Sequence, residues 1–421
     1  KLTLMTTIDN YQLLNTLGQG AFSKVKLVKD EEGKKFAMKI MKSDSKKSKD
    51  QENNIFLNEV KVMKELDHPN ILKLIDSKSK AEAIRADGSK LKLKYMTLEY
   101  AEGGELFDYI AETGRFSEDQ ARYFFKQIIS ALEYMHKKGY KHRDIKPENV
   151  LFDKDYNIKI GDFGFVTKDD ISYSRKGTYG YMAPEVLAGE PYRGEEADLF
   201  AAAVILFILV TQHPPFIRAE ETDRFYKAIA NEKWEKFWDV HSDLPLSKNF
   251  INFFSKMINQ DPSDRMTLSE IKAHKWFKGP VPSSDEIFAD FYQRHKILKK
   301  KSKGKENKSP EKPKASKKTK MPVKYTKFFK IEDPEVLIDL VVKFAKDSKI
   351  DYEKSKEFFR VELKYQESGS ETNVLVNVLK KPENSMRCLE LVHTNFKSTG
   401  DKKAFESLFT QFKVYANKRV D

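Results

Sequence analysis

Cysteine is all but missing: Cys388 is the one thiol in 421 residues. No intramolecular disulfide can form, and with no charged-then-apolar leader at the start of the chain the expectation is an intracellular protein that is not secreted. Long apolar runs are missing too. The longest, Leu199 to Val210, is well short of the ~20 residues a membrane span needs and reads as a buried helix. Residues 1–295 have no charge surplus of either sign, with 46 basic and 46 acidic side chains. Residues 296–323 hold 12 lysines against 2 glutamates, and the remainder holds 19 basic against 16 acidic. Most of the net charge of +13 therefore belongs to one short tether, and nucleic-acid binding by the whole molecule is not expected. Length and apolar content suit two or three domains with real cores.

The chemistry is concentrated in Lys141 to Gly164, KHRDIKPENVLFDKDYNIKIGDFG. Its polar residues lie between a helix-period run (Ile128, Ile129, Leu132, Met135) and a strand run (Ile158, Ile160), as in a rigidly held loop. A second carboxylate, Asp162, follows on a tight Phe163-Gly164 turn. Upstream, Tyr11 to Val28 alternates apolar and polar residues around Gly18-Gln19-Gly20, the pattern of two strands joined by a turn whose backbone N–H groups can approach phosphate oxygens. Phe36 to Lys39 alternates as a further strand, and Ile55, Phe56, Val60, Met63 and Leu66 mark a helix that carries Glu59. Ser43 to Asn54 is polar and reads as a mobile loop.

In these motifs and their order the sequence resembles the eukaryotic protein kinases, in particular the calcium/calmodulin-dependent-kinase-like group of Ser/Thr kinases. The resemblance implies an α+β, bilobal protein kinase fold, with a small β-rich N-lobe and a large helical C-lobe over residues 11–278. It also implies ATP and Mg²⁺. Asp144 would orient the attacking hydroxyl, Lys146 would neutralise the transferred phosphoryl group, and Asn149 and Asp162 would hold the metal. Lys39, fixed by Glu59, would pair the nucleotide phosphates. Leu17, Gly18, Gly20, Val25, Ala37, Glu99, Ala101 and Leu151 would form the ATP site, with Leu98 at its back wall. Ser23 stands where the family pattern has a third glycine.

The same resemblance assigns substrate contacts to Glu105, Glu148 and Thr178, the two glutamates favouring basic residues upstream of the target hydroxyl. Ser174 matches an activation phosphosite with Arg143 as its partner, and an upstream activating kinase is implied. Glu185 with Arg265, and Asp198 beneath the catalytic loop, are structural matches. Between Ile71 and Tyr100 the two expected strands are separated by a longer stretch than the family needs, either a long hairpin or a docking edge.

Residues 279–323 read as a basic linker. Within it Pro280 to Ile297 carries a short amphipathic segment that could pack against the large lobe, while Lys299 to Lys320 has almost nothing apolar and is expected to be disordered. It could serve as a spacer, a nuclear-import signal or an attraction to anionic lipid. Residues 324–421 read as a small α+β domain of helix, antiparallel sheet and helix, with Asp401 a candidate N-cap. In order and in its closing segment this domain resembles the kinase-associated domain 1 of AMP-activated-kinase-like and microtubule-affinity-regulating kinases. That likeness implies autoinhibition or binding of anionic phospholipid, with a cytoplasmic, membrane-associated or nuclear location. The tether has no Ser-Gln or Thr-Gln cluster, no room for a ubiquitin-associated domain and no Asn-Ala-Phe motif of calcineurin-B-like-interacting kinases.

Overall fold

The computed structural model describes residues 7–19, 23–41, 49–85, 88–306, 324–329, 334–348, 350–354, 360–367, 370–380, 387–393, 408 and 411–412. Gly20, Asp401, Phe359 and the tether from residue 307 to 323 lie outside the described residues. Two units, 1–308 and 309–421, are each compact in themselves.

The first unit begins with strands β1 (Thr7–Ile8), β2 (Tyr11–Gln19), β3 (Ser23–Lys29) and β4 (Lys35–Met41), then helix α1 (Lys49–Glu65), then β5 (Leu74–Ile84) and β6 (Lys90–Glu99). The strands close into a barrel in the order β1-β2-β3-β4-β6-β5. Alternation accounts for the barrel interior: Tyr11, Val28, Phe36, Met38 and Tyr95 point inward and form a small apolar core of their own. The long stretch between Ile71 and Tyr100 is a hairpin, and the docking-edge alternative is corrected at its far end. There β1 pairs with β5, Ile8 opposite Ala83 and Thr7 opposite Ile84, so that part of the edge is occupied. Helix α1 begins earlier than the polar composition implied. Residues 49–54 continue its backbone, because a helix nucleated by the apolar period of Phe56, Val60 and Met63 can extend through polar residues at no packing cost.

The larger part of this unit holds β7 (Gly104–Glu105), α2 (Leu106–Thr113), α3 (Glu118–Lys137), β8 (Val150–Phe152), β9 (Ile158–Ile160), α4 (Pro184–Ala188), α5 (Gly194–Thr211), α6 (Arg224–Ala230), α7 (Trp234–Asp239), α8 (Lys248–Met257), α9 (Leu268–Ala273) and α10 (Ser284–Glu306). Helix α3 starts at a capping box made by Ser117 and Gln120, and its last turn carries His136 and Lys137 where the helix dipole favours cations. Helix α5 is apolar on every side, and from Ala197 onward all of its residues are buried. Neither it nor any other helix among the described residues is long and apolar enough to cross a membrane.

Helix α10 corrects the disorder expected from Lys299 onward as far as Glu306, while its amphipathic half packs on the large lobe, as that segment could. Its residues Ile287 and Phe291 are fully buried, and Phe291 meets Phe124 at 4.8 Å, Phe116 at 5.1 Å and Phe152 at 5.4 Å between ring centroids. Arg294 donates to Thr113 O and Gly114 O, and Lys301 to Glu112, so the basic segment continues as helix through Glu306. Burial of the aromatic face offsets the chain entropy that lysine content alone cannot.

The second unit is a five-stranded antiparallel sheet, β10 (Lys324–Phe329), β11 (Asp351–Lys354), β12 (Arg360–Glu367), β13 (Ser370–Lys380) and β14 (Arg387–His393), in the order β10-β14-β13-β12-β11. Helix α11 (Pro334–Asp347) buries Ile338, Val341, Phe344 and Ala345, and Phe344 meets Phe412 edge to face. The expected order therefore gains a strand before the helix. Residues 408 and 411–412 are helical, within the segment read as the last helix.

Two expectations test this core. Phe291→Ala should lower stability by about 3–5 kcal/mol, the cost of emptying a large aromatic site. A chemical-denaturation shift under about 1 kcal/mol would show that α10 is no part of the core. His241 lies among Phe207, Phe237 and Trp238 and stacks on His213 at 5.0 Å. Burial, and then His213, push its pKa down to about 4 against the pull of Asp243. Unfolded histidine takes up its proton near pH 6.5, so the stability held by the neutral ring is complete above that and is lost as pH falls toward 4, roughly 3 kcal/mol in all. His241→Phe should flatten the acid limb of stability between those values, and an unchanged limb would assign the titration elsewhere.

Candidate active site

Asp198, 1% exposed, sits one turn into α5 and receives three hydrogen bonds: His142 N at 2.8 Å, Arg143 N at 2.7 Å and His136 Nε2 at 3.0 Å. Those bonds hold a strained loop, since Arg143 has φ +64°, a left-handed conformation costing about 1–2 kcal/mol for a residue with a Cβ. His142 Nε2 donates to Gly161 O at 3.1 Å while its Nδ1 accepts from Asp144 N at 3.3 Å, which fixes the ring between the loop and the segment that carries Asp162.

The Asp144 carboxylate is enclosed by donors. Lys146 Nζ lies 2.8 Å from Oδ2, Asn149 Nδ2 donates to Oδ2 at 3.1 Å and to Asp144 O at 2.8 Å, and Thr178 Oγ1 donates to Oδ1 at 2.9 Å. Lys146 Nζ also donates to Thr178 Oγ1 at 2.8 Å. Thr178 therefore reaches the carboxylate itself, a contact its motif position did not reveal. The segment carrying it approaches at Gly177, with φ +122°, where a Cβ would meet Arg143 O at 2.6 Å. Only glycine lets the two loops come this close.

From β4, Lys39 Nζ donates to Glu59 Oε1 at 2.5 Å and to Asp162 Oδ1 at 2.9 Å. Burial by itself would lower the lysine pKa, but the two carboxylates outweigh it and hold the ammonium above the ordinary lysine range. Burial raises the Glu59 pKa, and the Phe163 backbone N–H joins Lys39 in opposing the rise. Lys39 keeps Asp162 below the usual carboxylate range despite its own partial desolvation. Asn149 O accepts from Gly161 N at 2.8 Å, which ties the chain at Asn149 to the residue preceding Asp162. The Asn149 amide nitrogen is engaged by Asp144, leaving its side-chain oxygen as the end open to a cation. An amide and a carboxylate oxygen are the hard donors that Mg²⁺ takes when phosphates and water complete its shell, and no larger His, Cys, Asp or Glu cluster occurs among the described residues.

The residues read as nucleotide walls lie on β2, β3, β4, the segment after β6, and β8. Val25 pairs with both Gly18 and Lys39 across the sheet, and Ala37 pairs with Leu98. Val25, Ala37, Ala101 and Leu151 are half-buried, and Leu17 is exposed at 41%. The Glu99 side chain turns to Lys159 at 3.0 Å and to Lys73 N at 2.9 Å, and its backbone N–H donates to Lys73 O at 3.0 Å, so only its carbonyl remains for a nucleotide edge. Glu105 is half-buried; burial raises its pKa, and Asp108 and the exposed Glu148 add to the rise.

Arg143 Nη1 reaches the segment that the resemblance makes the activation segment (167–182), 3.2 Å from Ser174 Oγ and 3.3 Å from Ser172 Oγ. Ser172 and Tyr192 exchange backbone hydrogen bonds of 2.8 and 3.0 Å, and Tyr192 OH donates to Ser174 O at 3.0 Å. Tyr192 had no motif to mark it. Arg265 binds Glu185 through two 2.6 Å bonds, both residues buried.

The barrel and the helical lobe bring together one lysine–carboxylate pair, a caged aspartate, and an amide and a carboxylate oxygen, the side-chain types that phosphoryl-transfer sites use. The comparisons give the family. The model of the protein kinase domain matches residues 11–277, and the chain belongs to the protein kinase family. CBL-interacting protein kinase 32 of Oryza sativa subsp. japonica is 36% identical over 280 residues, 64% of this chain and 59% of the relative. The carbon catabolite-derepressing protein kinase of Saccharomyces cerevisiae is 38% identical over 282 residues, 65% and 41%. Calcium/calmodulin-dependent protein kinase type 1 of Macrobrachium nipponense is 34% identical over 297 residues, 68% and 81%. The chain thus spans 59% of the first of these relatives and 41% of the second.

Arg265→Ala would strand a buried glutamate and should cost about 3–5 kcal/mol. Arg265→Met paired with Glu185→Leu should recover much of that loss in thermal unfolding, because neither charge is then left unpaired. Equal losses in the single and double variants would contradict this account.

Proposed function

We propose that the chain is a serine/threonine protein kinase that transfers the γ-phosphoryl group of ATP to hydroxyls of protein substrates. The observation that carries this reading is the caged Asp144 carboxylate opposite a Lys39 already paired with Glu59 and Asp162. Asp144, held by Asn149 and Thr178, orients a hydroxyl and accepts its proton as the bond to phosphorus forms. Lys146, 2.8 Å from Asp144, is the cation nearest that oxygen and counters charge on the moving phosphoryl group. Lys39 positions the nucleotide phosphates. Mg²⁺, bound through Asn149 and Asp162, would supply the remaining charge neutralisation.

Two refinements rest on the same geometry. Glu105 and Glu148 interact electrostatically, which supports a preference for basic residues near the target hydroxyl. Ser174, within hydrogen-bond reach of Arg143, supports control by phosphorylation from an upstream kinase. The second unit resembles a kinase-associated domain 1, and on that likeness it inhibits the catalytic domain or binds anionic phospholipid, with the lysine-rich tether assisting at a membrane surface or directing nuclear entry. An intracellular setting follows from these roles.

Asp144→Asn should lower phosphate transfer to a basic serine peptide roughly 10²–10⁴-fold while MgATP binding persists. Nucleotide binding without any transfer by the unaltered protein would instead point to a non-catalytic scaffold.

A further inference from the structure

Helix α10 begins after the end of the matched kinase domain at residue 277, yet it reaches the turn that leads from the nucleotide walls into α2. The link is a chain of three groups. Tyr109, fully buried on α2, has its hydroxyl 2.8 Å from Gly103 O and 2.7 Å from His295 Nδ1, and its ring stacks on that of His295. A phenol has one proton and a carbonyl can only accept, so Tyr109 donates to Gly103 O and its oxygen accepts from His295 Nδ1–H. Burial keeps the Tyr109 proton in place. Burial, and then Lys299, hold the His295 pKa below the ordinary histidine value against the pull of Glu102. At neutral pH the imidazole therefore has one proton to place, and the Tyr109 oxygen fixes it on Nδ1.

Gly103 stands where the backbone has little room. Its N–H donates to Phe152 O at 2.9 Å, a Cβ there would meet Phe152 Cβ at 2.5 Å, and Gly104, at φ +85°, donates to Ala101 O at 3.2 Å. β7 then sets Gly104 against Phe152 and Glu105 against Leu151. The turn thus joins Ala101 and Leu151, two of the nucleotide walls, to Glu105. We propose that His295 is a positioning residue for the nucleotide: acting through Tyr109, it holds the Gly103 carbonyl and with it the turn from Ala101 to Glu105. The proposal rests on the reading of the chain as an ATP-dependent kinase and extends its nucleotide site to a helix beyond the matched domain. α10 is a firm support because it is anchored on both sides of His295, by Phe291 among its rings and by Lys301, which donates to Glu112 O at 2.8 Å. Without the Tyr109 hydroxyl the buried carbonyl loses a donor, and the turn relaxes away from its present geometry. Lys39 and Asp144 stand on other elements, so the transfer step itself is not disturbed.

The test measures MgADP binding by calorimetry and steady-state phosphate transfer in the full chain. Tyr109→Phe removes both hydrogen bonds and keeps the ring, while His295→Phe keeps the stack and removes the donor. Each should weaken MgADP binding about threefold to tenfold, as the loss of one neutral hydrogen bond does, and raise the KM for ATP by a similar factor with kcat within about twofold. His295→Asn, whose amide N–H can stand where Nδ1–H does, should restore most of the affinity. Lys301→Met, which loosens α10 at Glu112 without touching Tyr109, should bind MgADP as the unaltered chain does. Hydrogen exchange at the Gly103 and Gly104 amides should quicken in both phenylalanine variants. Thermal melts check folding, and should Tyr109→Phe prove unstable, His295→Phe carries the comparison alone. Unchanged MgADP affinity in the folded phenylalanine variants, or an equal loss in His295→Asn and Lys301→Met, would overturn the role of His295 and leave the kinase reading intact. Absence of MgADP binding by the unaltered, folded chain would overturn the kinase reading and this role with it.

Discussion

The active site depends on one buried carboxylate. Asp198 gives up hydration inside the apolar α5, a loss that only hydrogen bonds can offset, and it recovers them from two consecutive backbone N–H groups and the His136 ring. In return it holds Arg143 at φ +64°, a conformation that an arginine would otherwise leave. The helix and the loop are therefore mutually required. Without the loop the carboxylate would be buried unpaired, and without the carboxylate the loop would relax and release Asp144 from its donors.

The strain passes in two directions. His142 reaches Gly161 O and sets the residue before Asp162, while Arg143 binds Phe165 O and the hydroxyls of Ser172 and Ser174. Adjacent residues of one loop thus fix both the segment that carries Asp162 and the segment that carries Ser174. Each link is a charge-assisted or backbone hydrogen bond of modest net worth, but all share the same fixed support, and neighbours in such a network do not contribute independently.

Features carried by local period or by a motif were legible in the sequence: α3 from its apolar face, β3 and β4 from alternation, and Lys39, Glu59, Asp144 and Asp162 from their order along the chain. What escaped depends on partners distant in sequence. β1 has two residues, too few for any alternation to show, yet it closes the barrel against Ala83 and Ile84. The amphipathic stretch of α10 showed a face able to pack, but not that Phe291 fills a space among Phe116, Phe124 and Phe152. Lys141 had no motif to mark it, yet its side chain is buried, 3% exposed, beside Gly194.

Helix α1 is held at two places with unequal strength. At Glu59 the contact to Lys39 is buried, so losing it would leave a charge in a low-dielectric setting. At its last residue, Glu65 accepts from Tyr140 OH at 2.6 Å and from Lys168 Nζ at 3.2 Å, and its backbone O accepts from Lys138 Nζ at 2.7 Å. Glu65 and Lys168 are open to solvent, where an ion pair contributes about 0–1 kcal/mol. The outer contact is therefore the weak one, and the buried pair is the one whose loss would cost most. Lys39 divides itself between Glu59 and Asp162, so a cation engaging Asp162 would leave more of the lysine's charge to Glu59. The carboxylate on α1 and the one at Asp162 are thus coupled through a single ammonium group.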